Sequence, residues 1–103
     1  MSIEFIPESA KEYKSLDGSI RILADKKLEQ LKKNHYLGEE LGNKYNMDLT
    51  GFYKLYFRKK TYRIVYRIIK NGIEIIEIWG IGKKDKMAIY KDIDKRIKDR
   101  QLT

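Results

Sequence analysis

The sequence predicts an α+β domain of two layers. An antiparallel sheet, built from an N-terminal strand plus a three-stranded meander, packs against an N-terminal helical hairpin, and a C-terminal helix follows. Three observations predict this. Apolar residues over 20–33 recur at steps of three and four, those over 52–81 alternate with a period of two, and Asn71-Gly72 separates two alternating runs. The chain has 103 residues, and one domain commonly takes about 100–150. No repeat or linker divides it, so 1–103 read as a single domain.

Ser2–Pro7 reads as a short edge strand that Pro7 ends. Glu8–Ser15 reads as a helix, with Ala10, Tyr13 and Lys14 to one side. Asp17-Gly18-Ser19 breaks the pattern, and Asp17 or Ser19 is placed to cap the next helix. Ile20, Leu23, Ala24, Leu28 and Leu31 then give one apolar face over Ile20–Lys33. Asn34–Gly51, with glycines at 38, 42 and 51, reads as loop with at most short pieces of structure.

Phe52–Arg58, Thr61–Lys70 and Ile73–Ile81 are rich in Tyr, Ile, Val and Phe, as strands are. Lys59-Lys60 turns the first into the second, and Asn71-Gly72 turns the second into the third. Tyr53, Leu55, Phe57, Tyr62, Ile64, Tyr66, Ile68, Ile76 and Ile78 fall on one face, beneath the helices. Lys54, Tyr56, Arg58, Arg63 and Arg67 fall on the other, a basic face with aromatic residues among the cations. Gly80-Ile81-Gly82 ends the sheet and leads into Lys83-Lys84-Asp85-Lys86. A last helix over Met87–Lys98 carries Ile89, Tyr90, Ile93 and Ile97 as its stripe.

Charge is distributed unevenly. Residues 1–51 hold eight basic and nine acidic side chains, a net of −1, while 52–103 hold fifteen basic and six acidic, a net of +9. A basic half joined to a neutral one is the footprint of a polyanion-binding surface. With no cysteine, thiolate nucleophiles and zinc–sulfur sites are excluded, and one histidine excludes a two-histidine acid–base pair. The basic half has no D-x-D-type carboxylate pair on the sheet face, and neither a G-x-S-x-G elbow nor a Walker loop occurs. No metal or other cofactor is expected. The opening Met1-Ser2-Ile3-Glu4-Phe5 has no signal-peptide character, no apolar run approaches a membrane span, and a cytoplasmic protein is expected.

Chemistry done with Lys, Arg and Tyr suits RNA, which carries its own nucleophile, the 2′-hydroxyl, beside the scissile phosphate. The protein then holds that hydroxyl in line and stabilises the charge that builds on phosphorus. Arginine is suited to clamp a phosphate. Crowded cations lower the pKa of a lysine or tyrosine, and aromatic rings stack on bases. Trp79 reads as a packing residue, His35 as a loop residue without catalytic duty, and Glu77 as a carboxylate that orients cationic neighbours.

Gly51-Phe52-Tyr53-Lys54-Leu55-Tyr56-Phe57-Arg58, Tyr62-Arg63-Ile64-Val65-Tyr66-Arg67-Ile68 and Gly82-Lys83-Lys84-Asp85-Lys86 with Ile89-Tyr90 together resemble the RelE/ParE toxin superfamily. The resemblance implies the toxin of a type II toxin–antitoxin system. Its RelE branch is a metal-independent mRNA endoribonuclease that cuts in the ribosomal A site, and its partners are a cognate antitoxin, the ribosome and mRNA. The toxin alone is expected to be monomeric, without a membrane partner. By position, the resemblance makes Arg63 the phosphate-clamping arginine, Lys54 a first-strand lysine and Tyr90 the tyrosine that stacks on the substrate. Tyr56 and Lys84 depart from the family pattern, standing where it has a lysine and an arginine; both can still exchange protons. Lys54, Tyr56, Arg63, Lys84 and Tyr90 are thus the candidate catalytic residues, with Arg58, Arg67, Lys83 and Lys86 as candidate RNA contacts. The alternatives are a ParE-like toxin that binds gyrase and a nonenzymatic basic RNA-binding domain.

Overall fold

The computed structural model describes residues 2–85 and 87–101. Its elements run β1 (Ser2–Phe5), α1 (Pro7–Lys14), α2 (Gly18–Lys33), β2 (Glu39–Lys44), β3 (Met47–Phe57), β4 (Tyr62–Asn71), β5 (Ile73–Lys83) and α3 (Ala88–Gln101). The α+β class stands as expected. The strands form one five-stranded sheet in the order β1-β5-β4-β3-β2.

Local chemistry sets the element ends. Pro7 opens α1, where its fixed φ suits the first helical position and its missing N–H costs nothing. Asp17 stands at the N-cap of α2 without capping it: its carboxylate accepts a 2.6 Å bond from the Ser19 hydroxyl. The β3–β4 turn holds Arg58, Lys59 and Lys60 at φ 49°, 52° and 65°, a left-handed path without glycine. Thr61 closes it by donating both its N–H and its hydroxyl to the Arg58 carbonyl, at 3.0 and 2.6 Å.

The α2 stripe of Ile20, Ala24, Leu28 and Leu31 packs on Leu55, Phe57, Ile64, Tyr66, Ile76, Ile78 and Ile81. Alternation in the strands therefore selects the face that the helical hairpin covers. The Ser9 hydroxyl, fully buried, donates a 2.6 Å bond to the Ile78 carbonyl and fixes α1 to β5.

Four features differ from the sequence expectation. Residues 39–57 form a β2–β3 hairpin, so β3 begins five residues before Phe52 and the expected loop is largely sheet. Second, β1 runs parallel to β5, pairing Ile3 with Ile76 and Phe5 with Ile78. The helical hairpin carries the chain away between them, so no tight turn forces these strands antiparallel. Third, β5 continues through Gly80-Ile81-Gly82 to Lys83 by means of a bulge. Val65 pairs with Gly80 and Tyr66 with Ile78, leaving Trp79 as the extra residue. Fourth, α3 lies on the face opposite the helical hairpin and makes a third layer.

The bulge and the third layer belong together. Ile89, Tyr90 and Ile93 of α3 bury against Val65, Trp79, Phe52, Met47 and Leu49, forming a second core. Gly80 is where the helix comes closest: a Cβ there would stand 2.8 Å from the Ile93 Cδ1. Two paired ion bridges then tie α3 to α1. Arg96 spans both carboxylate oxygens of Glu12 at 3.0 and 3.1 Å, and Arg100 spans those of Glu8 at 3.0 and 2.8 Å.

Candidate active site

Alternation along β3 and β4 sends Lys54, Tyr56 and Arg63 to the side of the sheet that α3 partly covers, and the register sets Tyr56 directly opposite Arg63. The first turn of α3 delivers Tyr90, and the chain leaving β5 delivers Lys84, whose N–H is held by the Thr61 carbonyl at 2.8 Å. The five candidate catalytic residues come together. The Arg63 guanidinium lies 4.7 Å from the Tyr90 ring centre and 5.8 Å from that of Tyr56. Lys54 Nζ donates to the Tyr56 hydroxyl at 3.3 Å, and Lys54 Nζ and Lys84 Nζ each stand 5.2 Å from the Tyr56 ring centre.

The cluster has depth. Arg63 is only 2% exposed, at the floor, whereas Lys84 is exposed at the rim. Tyr56 and the α3 residue Tyr90 cover it. Gly82 is paired with Arg63 across the β4–β5 ladder, and a Cβ there would meet nothing within 4 Å. The position over Gly82, next to Arg63 in the ladder, is therefore open.

Electrostatics separate the two phenols. Burial alone would raise the Tyr56 pKa, but the Lys54 hydrogen bond and the fields of Lys54, Arg63 and Lys84 outweigh it, and the net shift is downward. For Tyr90, burial prevails over the nearby cations and the pKa rises. Lys54 is also raised: burial opposes its charge, but the bond to Tyr56 and the charges of Tyr90, Tyr56 and Glu39 prevail. The crowding expectation thus holds for Tyr56 and reverses for Lys54, which hydrogen-bonds an acceptor that becomes anionic. Of the two phenols, Tyr56 is therefore the more acidic.

Of the candidate RNA contacts, Arg58, Arg67 and Lys83 do not join this cluster. Arg58 lies past the end of β3 in a left-handed turn, so alternation no longer directs it. Its guanidinium rests 5.9 Å from the Tyr62 ring centre and lines a groove with Leu23 of α2, on the opposite face. Lys83 pairs with Tyr62, which packs on the helical-hairpin core, and shares that face. Arg67 keeps the expected face but is engaged: its Nε donates to Glu77 at 2.6 Å, and its guanidinium lies 4.8 Å from the Trp79 ring centre. Lys86 lies outside the described residues. Trp79 is buried, donates to Glu77 at 2.6 Å and also carries Arg100 at 4.8 Å, so it packs as expected. His35 faces Glu74 at 3.5 Å, beside the β4–β5 hairpin.

One neighbour of the site escaped sequence reasoning. Tyr45, in the β2–β3 turn, stacks on Tyr90 with centroids 6.0 Å apart and planes at 26°. The signal was Tyr45-Asn46 between Leu41 and the alternating Met47 and Leu49, obscured by the glycines around it. Among the described residues, no three His, Cys, Asp or Glu side chains group as a metal ion would require, and no helix is long and apolar enough to cross a membrane.

No family model matches the chain. The mRNA interferase toxin RelE of Escherichia coli strain K12 is 26% identical over 95 residues, which cover 92% of this chain and 95% of that protein. The chain is thus similar in sequence to RelE over nearly its whole length. Solved RelE structures have its fold. A doubly substituted E. coli RelE in the free state superposes with a TM-score of 0.72 at 24% identity, covering 92% of this chain and 95% of that one. The toxin in the intact E. coli RelBE toxin–antitoxin complex gives 0.63 at 24% identity, covering 82% and 96%. Tyr56 and Lys84, the two expected departures from the family pattern, both stand inside the cluster.

Proposed function

We propose that this protein is the toxin of a type II toxin–antitoxin pair, acting in the cytoplasm as a metal-independent, ribosome-dependent mRNA endoribonuclease. The observation that carries this is the convergence of Lys54, Tyr56, Arg63, Lys84 and Tyr90 on one hollow. The similarity to RelE, named an mRNA interferase toxin, supports the activity, and the RelBE complex supports an antitoxin partner for this chain.

Tyr56, with its lowered pKa, takes the proton from the 2′-hydroxyl as O2′ bonds to phosphorus. Arg63 and the Lys54 ammonium stabilise the extra negative charge on the phosphorane. The P–O5′ bond then breaks, and Lys84 gives its proton to the departing O5′. The products are a 2′,3′-cyclic phosphate and a 5′-hydroxyl. Tyr90 keeps its proton; buried between Arg63 and Tyr45, it holds Arg63 in place instead of stacking on the substrate as the resemblance implied. The phosphate enters beside Gly82, where space adjoins Arg63, with the rim groups Lys84 and Tyr56 moving to admit it. Arg58 and Lys83, off the cluster, add to the basic field that draws in the ribosome and its message.

Purified protein added to translating ribosomes is expected to cut messenger in the A site and leave 2′,3′-cyclic phosphate ends. Intact messenger with folded protein overturns the assignment. Arrest of replication with relaxed DNA on induction would move it to the gyrase-directed branch.

A further inference from the structure

The proposed reaction leaves the tip of the β2–β3 hairpin unused. Both turn residues there have positive φ, 53° at Tyr45 and 63° at Asn46. Such a turn suits Asn or Gly at both places, so an aromatic residue at the first is held against its steric preference. Burial does not explain it, because Tyr45 is 53% exposed. What the ring does contact is Tyr90, at 6.0 Å and 26°, and Tyr90 in turn meets Arg63 at 4.7 Å. A line of stacked groups therefore leads from the buried guanidinium to a solvent-facing ring.

A single-stranded nucleotide presents two features together, a phosphate and a flat base. With its phosphate drawn toward Arg63, its base is directed outward along that line. We propose that Tyr45 is the base-stacking platform of this site, receiving a nucleobase next to the scissile phosphate on its exposed ring. This rests on the ribonuclease reading above and adds to it a residue outside the strings that carry the family resemblance. Stacking on a phenol needs no base-specific hydrogen bond, because every base has a π-face, so the platform holds a base without selecting a sequence.

Two measurements test it. The first is quenching of 2-aminopurine in a short RNA whose reactive 2′-hydroxyl is replaced by hydrogen, bound to isolated protein. The second is single-turnover cleavage on ribosomes carrying messenger with either a normal or an abasic nucleotide at the stacked position. Wild type and Tyr45→Phe should quench, and both should cleave the abasic message more slowly. Tyr45→Leu keeps apolar bulk against Tyr90 but has no π-face. It should bind the analogue roughly 5- to 150-fold more weakly, without quenching, and should be slowed no further by base removal. Tyr45→Leu that matches wild type in quenching and in its response to the abasic message overturns the platform, as does wild type that neither quenches nor responds. Cleavage indifferent to Tyr45 sinks the platform and spares the nuclease. Quenching lost in Tyr45→Leu, with messenger left intact by wild type, sinks the nuclease and spares the platform.

Discussion

Arg63 and Arg67 project from the same face of β4, four residues apart, and are used in opposite ways. Arg67 is held by a carboxylate and a tryptophan. Glu77 takes its Nε at 2.6 Å, Trp79 lies beneath it, and Arg100 reaches the same indole. That end of the face contains its own anion, and the α3–α1 ion pairs close it further. Arg63, far more deeply buried, lies among phenols, with Lys54 and Lys84 beside it and Glu39 only at 3.9 Å from Lys54. In the proposed reaction these cations and phenols receive the phosphate. One sheet face thus has a closed half, held by its own ion pairs, and a half to which the proposed reaction brings an anion.

The largest effect should come from setting the two arginines against each other. Arg63→Ala is expected to slow cleavage on programmed ribosomes by about 10²–10³-fold, the usual loss when one group stabilising transition-state charge is removed. Arg67→Ala should leave cleavage within a few-fold. It should instead lower the stability by about 1–2 kcal/mol, through a lost cation–π contact and a Glu77 left with Trp79 alone. Thermal melts and single-turnover rates separate the two. A cleavage loss as large in Arg67→Ala as in Arg63→Ala would erase the distinction between the halves.

Tyr56 sharpens the same contrast through pH. A general base works once deprotonated, and the Tyr56 pKa is displaced downward from 10.0. The rate should therefore rise with pH and level off below pH 10, while Lys54, displaced upward, keeps its ammonium through that range. Tyr56→Phe should remove the rise and lower the rate by about 10²-fold. A pH profile unchanged in Tyr56→Phe would transfer the proton step to another group.

Gly82 tests whether the opening beside Arg63 is the approach. It lies in β5 with no positive φ and nothing near its missing Cβ, so Gly82→Val suits the strand and should not lower the melting temperature. Filling that space should still cost about 10-fold in cleavage, since small displacements of a reacting group are expensive. Gly80→Val is the control at the closed half: there the Ile93 side chain is in the way, and stability should fall instead.

The sequence made the helical-hairpin side of the molecule legible and much of the other side not. The α2 stripe and the alternation from Tyr53 to Ile78 each follow a single period, because a wholly apolar core fixes one face of every element. Opposite it, Tyr90 belongs at once to an apolar stripe and to the cation cluster, so periodicity could not say which face α3 would cover. The bulge at Trp79 moves Gly80 and Ile81 by one residue relative to simple alternation, which is how the strand outran its expected end. Alternation over an expected strand Phe52–Arg58 put Arg58 on the site face and Lys83 was read as loop, whereas the left-handed turn at Arg58 and the pairing of Lys83 with Tyr62 decide their faces. The parallel pairing of β1 depends on where the chain returns after α2, which no local pattern encodes.

The smallest expected effect is at the outermost ion pair of the closed half. Arg100 hydrogen-bonds both Glu8 oxygens and holds the Glu8 pKa down at about 2, against an ordinary 4.5. A carboxylate with a depressed folded-state pKa stabilises fully above its unfolded value and loses that contribution as pH falls from about 4.5 through about 2. Both side chains are more than a third exposed, so solvent screening limits the contribution to about 1 kcal/mol or less. The melting temperature should therefore fall across that interval by slightly more in wild type than in Glu8→Gln, and cleavage at neutral pH should be the same in both. Equal acid slopes would assign the lability to other carboxylates and leave Arg96–Glu12 as the pair that keeps α3 on its half of the sheet.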